Sequence, residues 1–288
     1  MDNEKRMSIG FIGAGKAGVS LGAYFCSKGI EISGYLSLSM NSAVSAAGIT
    51  SSNAFTVLSD LVASSDMIIV STPDGVIGKI WEDLRKCDIR GKIICHLSGV
   101  LSSDIFEGIE AKGSYGYSVH PMFAFSGRDG DFQDMEKVCF TIDGSKDKLD
   151  EVRDFFRCMG NRTFVIDKKQ KHLYHASNVM VSNLVTALLS IGTEAFQRCG
   201  VSGEDALGAM LPLIKGNIEN IAKKGFPGSL TGPAERNDTD TIMKHLDVLE
   251  EDERLIYSLL TKRLAEISKA KHPGRDNSEL LELLEKNL

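Results

Sequence analysis

The stretch DMIIVSTP, residues 66–73, is apolar at every position from Met67 to Val70, and this lack of alternation constrains the fold more than any other feature. A strand with one face in water alternates apolar and polar side chains, whereas a strand covered on both faces is apolar throughout. GKIICHLSG, residues 91–99, repeats the pattern. MSIGFIG and IEISGYL read as the first two strands, FTVL as a short edge, and GYSVHP, KVCFTIDGS and RTFVID as three more. Helical stretches lie between them: AGVSLGAYFCSKG closing at Gly29, a polar helix near 40–47, VIGKIWEDLRKC, and KDKLDEVRDFFRCMG before the last strand. Strands alternating with helices predict a mostly parallel sheet covered by helices on both faces.

The pattern changes near residue 167. From Lys168 to Cys199 the chain reads as one long helix, with no proline and with glycine only at Gly192. GEDALGAMLPLIKGNIENIAKKG continues helically across Pro212, FPGSLTGPAERND reads as a link, and Thr239 to Lys271 is again helical. After HPGRDN, the tail SELLELLEKNL is amphipathic, with Ser278 as its expected cap. The expected organisation is an α/β domain over residues 1–167 and an all-helical domain over 168–288.

At 288 residues the chain is long enough for two cores. Its net charge of -6 lacks the basic footprint of a nucleic-acid binder. No run reads as long enough to span a membrane, and MDNEKRM is too short and too charged for a signal peptide. The six cysteines, at 26, 87, 95, 139, 158 and 199, form no C-x-x-C pair. They read as reduced thiols in the cytoplasm, with neither a metal site nor a disulfide framework.

The run Gly13-Ala14-Gly15-Lys16-Ala17-Gly18 follows the first strand and opens a helix. In that context the first glycine permits the turn, the second lets backbone approach a pyrophosphate, and the third lets helix and strand pack closely. The helix N-terminus adds free N–H groups and partial positive charge. A dinucleotide is the expected ligand. The second strand ends in GYLSLSMNS, with no acid to bind a ribose 2′-hydroxyl. Ser37 and Ser39 would tolerate a 2′-phosphate, so NADP is favoured over NAD.

Three polar turns end the middle strands. Thr72-Pro73-Asp74 would flank the nicotinamide, although Asp74 also suits a plain turn. Ser98 could donate to a reacting oxygen, and His120 could serve as a proton donor. His96 reads as a core histidine bonded to backbone. On the long helix Lys171, His175, Asn178 and Ser182 fall on one stripe. That row fits either a polar network at a dimer interface or a catalytic wall on which Lys171 or His175 protonates a carbonyl oxygen.

The motifs HLSG, SVHPMFAF, LYHASNVMVSN and SLTGPAERND together resemble the Rossmann-like proteins carrying domain of unknown function 2520. These belong with the 6-phosphogluconate dehydrogenase-like enzymes. The resemblance covers nearly the whole chain and implies an NAD(P)-dependent oxidoreductase. Some members are alternative ketopantoate reductases in pantothenate synthesis, which implies a small 2-oxo acid such as 2-dehydropantoate. Prephenate- and pyrroline-carboxylate-type dehydrogenases are the alternatives, and a non-catalytic dinucleotide sensor is the reading of another class.

Carried over by residue, the resemblance keeps Ser98-Gly99, His120-Pro121, Tyr174-His175 and Ser182-Asn183. Lys171, His175, Ser98, His120 and Asn183 form the expected catalytic set, with the proton donor left open among Lys171, His175 and His120. Arg236, together with Ser182, is expected to meet a substrate carboxylate. In the TGP-x-x-R-G-D pattern Asn237 replaces the second glycine, so Arg236 and Asp238 could instead form a helix cap and a surface ion pair. A homodimer through the helical domain is expected.

Overall fold

The computed structural model describes residues 7–125 and 134–288, so the charged opening residues 1–6 lie outside the described residues. Strands β1 (Ser8–Ile12), β2 (Glu31–Leu36), β3 (Asn53–Phe55), β4 (Met67–Val70), β5 (Ile93–His96), β6 (Tyr115–Pro121), β7 (Cys139–Gly144) and β8 (Arg162–Val165) form one sheet. Their order is 3-2-1-4-5-6-7-8. Neighbours are parallel except β6 and β7. The edge strand expected at FTVL forms slightly earlier, at Asn53–Phe55, because Leu58 already opens a helix.

Helices α1 (Lys16–Ser27), α2 (Met40–Thr50), α3 (Leu58–Ala63), α4 (Asp74–Leu84) and α5 (Leu149–Cys158) complete the α/β layers. One core gathers α1, α2 and α5 on Phe11, Ile69, Tyr117 and Phe140. The other packs Leu61, Ile77 and Trp81 against Ile68, Val70 and Ile94. Both faces of β4 and β5 are buried, as their unbroken apolar runs require. The chain winds outward from β1 to β3 and returns to β4 on the other side of β1. The resulting crevice at the carboxyl ends is where open sheets of this kind bind ligands.

Helix α6 (Lys171–Val181) belongs with the sheet. The compact units divide between Met180 and Val181, later than the change in composition near 167 suggests. The reason is a buried ion pair. Antiparallel register sets Ser118 of β6 opposite Asp143 of β7, and His120 opposite Thr141. Residues two apart on a strand share a face, so the two pairs form successive rungs. Lys171 Nζ reaches Asp143 Oδ2 at 3.2 Å and donates to Ser118 Oγ at 2.6 Å, with both charged side chains 1% exposed. Tyr174, one turn later, meets the second rung at His120.

The second unit consists of α7 (Asn183–Arg198), α8 (Gly203–Ser229), α9 (Pro233–Arg236), α10 (Thr239–Val248), α11 (Glu251–Lys271) and α12 (Ser278–Glu285). Its core joins Ala234, Ile242, Leu246, Ala265, Leu280 and Leu284. Four sequence expectations are corrected in these helices. The stretch from Lys168 is interrupted at Ser182, whose φ of -124° and ψ of -84° leave the helical region. The run from Thr239 breaks at Leu249, where Glu250 and Glu253 form a capping box that starts α11. The link read in FPGSLTGPAERND is largely helical, since α8 runs through a kink at Gly225 to Ser229 and α9 follows. Asn277, not Ser278, stands at the N-cap of α12, because the Ser278 hydroxyl donates to Asp276.

Taken across the break at Ser182, the stretch Lys168–Arg198 is nevertheless long and apolar enough to cross a membrane by length and composition, with a mean hydropathy of 1.5 over its most apolar window. The expectation that no run approaches that length is corrected accordingly. No charged residue falls between His175 and Glu194, and only 6% of the window is buried.

Removing Asp143 leaves the Lys171 ammonium without its counter-charge in the interior. Asp143→Ala should therefore cost about 3–5 kcal/mol in urea unfolding, and adding Lys171→Met should recover most of the loss. Equal stability of the single and double variants would contradict this account.

Candidate active site

The glycine loop has the geometry its sequence implies. Gly13 has φ of +111°; its N–H donates to Leu36 O at 2.8 Å, and its carbonyl accepts from Ser71 Oγ at 3.0 Å. A Cβ on Gly18 would lie 2.3 Å from Ser71 Oγ, so only glycine lets α1 pack this closely on the turn. A Cβ on Gly15 would meet nothing within 4 Å. Gly15 is the N-cap of α1 and brings no side-chain cap, and the first turn holds no acid. The helical bonds begin with Val19 N–H on Gly15 O, which leaves the N–H groups of Lys16, Ala17 and Gly18 directed out of the helix end. Ala14 is buried and Lys16 exposed. This open, uncapped and acid-free cradle fits a phosphate group.

Around the cradle the polar set differs from the expected one. Ser39 is occupied as the N-cap of α2, accepting from Ser42 N–H at 3.3 Å, and Ser37 is half-buried beside a fully exposed Leu38. A cavity of about 190 Å³ next to Ala14 and Val19 is lined instead by Asn41, Ser42 and Ser45. Ser42 and Ser45 carry no sequence signal beyond their places in a polar helix. After β4, Thr72 has a buried Oγ1 without a hydrogen-bond partner, an orphan that a bound group would satisfy. Pro73 is the N-cap of α4, and Asp74 sits exposed in its first turn, the plain role open to it from sequence.

Beyond β5 and β6 the imidazoles gather. His96 is fully buried; it accepts from Ser98 N–H at Nδ1, so its Nε2–H donates to Ser102 O. Both ring nitrogens are used, and burial pulls its pKa down to about 4. This is the core histidine expected from sequence. The Ser98 hydroxyl accepts from Val100 and Leu101 N–H, bonds that fix its oxygen and leave its O–H as a donor. Gly99 is where the site closes. A Cβ there would lie 2.8 Å from His175 Nδ1 and 2.9 Å from His120 Nε2, so a side chain would displace both rings. His175 Nδ1 is buried without a hydrogen-bond partner. His120 Nδ1 lies 2.6 Å from the Tyr174 hydroxyl, and the rings meet edge to face. Burial, then the charge of Lys171, lower the pKa of His120 to about 4 and keep it neutral near pH 7.

Lys171 does not stand on an open stripe with His175. It lies beneath the imidazoles, bonded to Ser118 and Asp143, and burial lowers its pKa. Asp143, absent from the expected set, also accepts from Ser103 N–H at 2.8 Å. In the helical unit Ser182 and Asn183 are exposed at the start of α7 and bond each other at 3.1 Å. Asn237 takes the left-handed conformation at φ 58°, which asparagine tolerates, so the turn survives loss of the glycine. Asp238 caps α10, and Arg236 stays exposed with Asp238 at 3.9 Å. That is the cap and surface pair allowed for from sequence.

A doubly wound sheet with a glycine cradle at its first turn defines a dinucleotide-type α/β architecture. Residues 2–121 match the family described as a Rossmann-like domain, and residues 138–264 match Domain of unknown function (DUF2520). The two matched stretches follow one another along the chain in that order. It is similar to protein TM1727 from Thermotoga maritima, with 25% identity and a TM-score of 0.75 over 91% of this chain and 99% of that one. Protein BF3122 from Bacteroides fragilis is 23% identical, with a TM-score of 0.69 over 91% of this chain and 98% of that one. The fold is also that of a Plasmodium falciparum pyrroline carboxylate reductase solved with NADP bound, at 18% identity and a TM-score of 0.61 over 94% and 99%. None of the curated proteins matches the sequence.

The glycines separate packing from binding. Gly15→Asp places a good N-cap residue in open space, so unfolding should stay within about 0.5 kcal/mol of wild type. Its carboxylate should weaken NADPH binding at least about tenfold by fluorescence titration. Gly18→Ala should instead cost about 1–3 kcal/mol of stability through its clash with Ser71. Unchanged NADPH affinity in Gly15→Asp would rule out the cradle.

Proposed function

We propose that this chain is an NADP(H)-dependent reductase of a small 2-oxo acid, with 2-dehydropantoate as the leading substrate. The observation that carries the reading is the convergence of His120 Nε2 and His175 Nδ1 over Gly99, which follows β5 at the same carboxyl end of the parallel strands as the glycine cradle after β1. Gly13, Gly15 and Gly18 would receive the pyrophosphate on the N-terminus of α1. Asn41, Ser42 and Ser45, with no acid after β2, favour a 2′-phosphate and hence NADP.

When bound, the reduced nicotinamide supplies a hydride to the carbonyl carbon. His175 supplies the proton at the carbonyl oxygen, and His120 orients that oxygen from the other side of Gly99. Lys171 holds Ser118, whose hydroxyl donates to Ser98 O at 3.4 Å and so steadies the loop bearing Gly99. The six free thiols fit a reducing compartment, the cytoplasm.

Exposed apolar side chains run along the helical unit, among them Leu184, Leu188, Leu211, Ile218, Leu259 and Leu260. They support a homodimer through this unit, since patches of this kind on a soluble chain mark contact sites. Sedimentation equilibrium should give twice the chain mass; a monomer at micromolar concentration would remove the dimer from the proposal.

The enzymatic test is loss of reduced-nicotinamide absorbance with 2-dehydropantoate, using NADPH and NADH in parallel. NADPH should be oxidised much faster than NADH. His175→Ala should lower kcat about 10²- to 10⁴-fold with little change in NADPH affinity. Turnover of a pyrroline carboxylate or of prephenate alone would move the assignment to that dehydrogenase type. Tight NADPH binding with no turnover of any of these would favour the sensor. Parallel loss of turnover and cofactor affinity in His175→Ala would remove its assigned role.

A further inference from the structure

We infer that Tyr174 is a positioning residue that holds His120 as its neutral Nε2–H tautomer, making this wall of the site a hydrogen-bond donor suited to a carbonyl oxygen and not to an iminium nitrogen. The inference rests on the placement of the reacting group over Gly99 proposed above.

The geometry sets the direction of the bond. Tyr174 O and His120 Nδ1 are 2.6 Å apart, below the usual 2.7–3.2 Å range of N–H···O bonds and within reach of a hydroxyl donor. A half-buried phenol has one proton to place, and an imidazole nitrogen accepts it better than a delocalised phenolic oxygen accepts from N–H. With Nδ1 accepting, the neutral ring carries its proton on Nε2, the nitrogen that faces Gly99.

The surroundings match such a donor. His120 feels Lys171, His175 and His96, and each of them opposes its protonation, as burial does. The nearby carboxylate of Asp143 is committed to Lys171 and Ser103 N–H. An oxygen gaining negative charge finds an N–H and, behind it, an ammonium. An iminium N–H⁺ finds no uncommitted carboxylate among these groups, and the nearby ammonium opposes its charge.

Long-range ¹H–¹⁵N spectra of histidine-labelled protein at pH 7, without cofactor, read the tautomer directly, with His120 assigned through His120→Gln. Wild type should show the Nε2–H form, and Tyr174→Phe a mixture of tautomers. With NADPH and a turned-over ketone, Tyr174→Phe should lower kcat at least about tenfold while NADPH affinity holds. An Nδ1–H tautomer in wild type overturns the inference, as does a Tyr174→Phe variant with unchanged tautomer or unchanged kcat. The wild-type spectra decide the tautomer even if no tested substrate is turned over. Failure of the proposed function is thereby distinguished from failure of this assignment.

Discussion

One ammonium organises the candidate site. Lys171 lies between β6 and β7, where it touches Ser118 and Asp143, and Asp143 in turn takes Ser103 N–H from the segment after β5. Taking two charges out of water costs several kcal/mol per ion unless geometry and added hydrogen bonds compensate. Here they do, because the antiparallel register of β6 and β7 presents a hydroxyl and a carboxylate side by side. Helix α6 is therefore pinned at its first residue. Tyr174 and His175, three and four positions later, inherit their orientation from that pin.

The sheet was legible in the sequence because burial on both faces removes alternation, leaving runs such as Met67–Val70 that suit little else. The glycine loop was legible because each glycine answers a separate steric demand, visible in the Gly13 turn and in the contact of Gly18 with Ser71. Lys171 is buried beneath the imidazoles, and the stripe read through His175 and Asn178 ends before Ser182. Periodicity gives the face of a helix but not what the face meets, and the partner that removes Lys171 from the cleft is a carboxylate on a distant strand. Asp143 carried no signal of its own, since FTIDGS reads as a strand running into a turn.

Small polar residues were the least legible. Ser39, Ser98 and Asp238 sit where a ligand contact was expected or weighed, yet each also satisfies orphan backbone donors near it. Serine and aspartate favour such local bonds for the reason they favour binding sites: a short side chain with a well-placed oxygen. Only three-dimensional neighbours separate the two uses. The breaks at Ser182 and Leu249 follow the same logic. The Glu250–Glu253 capping box could have been found in LEEDERL, whereas nothing in VMVSNLVT marks Ser182 as non-helical.

The ion pair also orders the electrostatics of the site. Its two charges cancel at long range, but they act unequally close by. His96 feels Lys171 and Asp143 with opposite sign, and the ammonium also opposes protonation of His120. The ammonium therefore acts on His120 in an interior where charges are weakly screened. A neutral imidazole backed by a fixed cation favours an oxygen that gains negative charge, without the risk of the ring itself becoming charged. Building that preference into a buried pair, and not into an exposed lysine, keeps it in place before any ligand arrives.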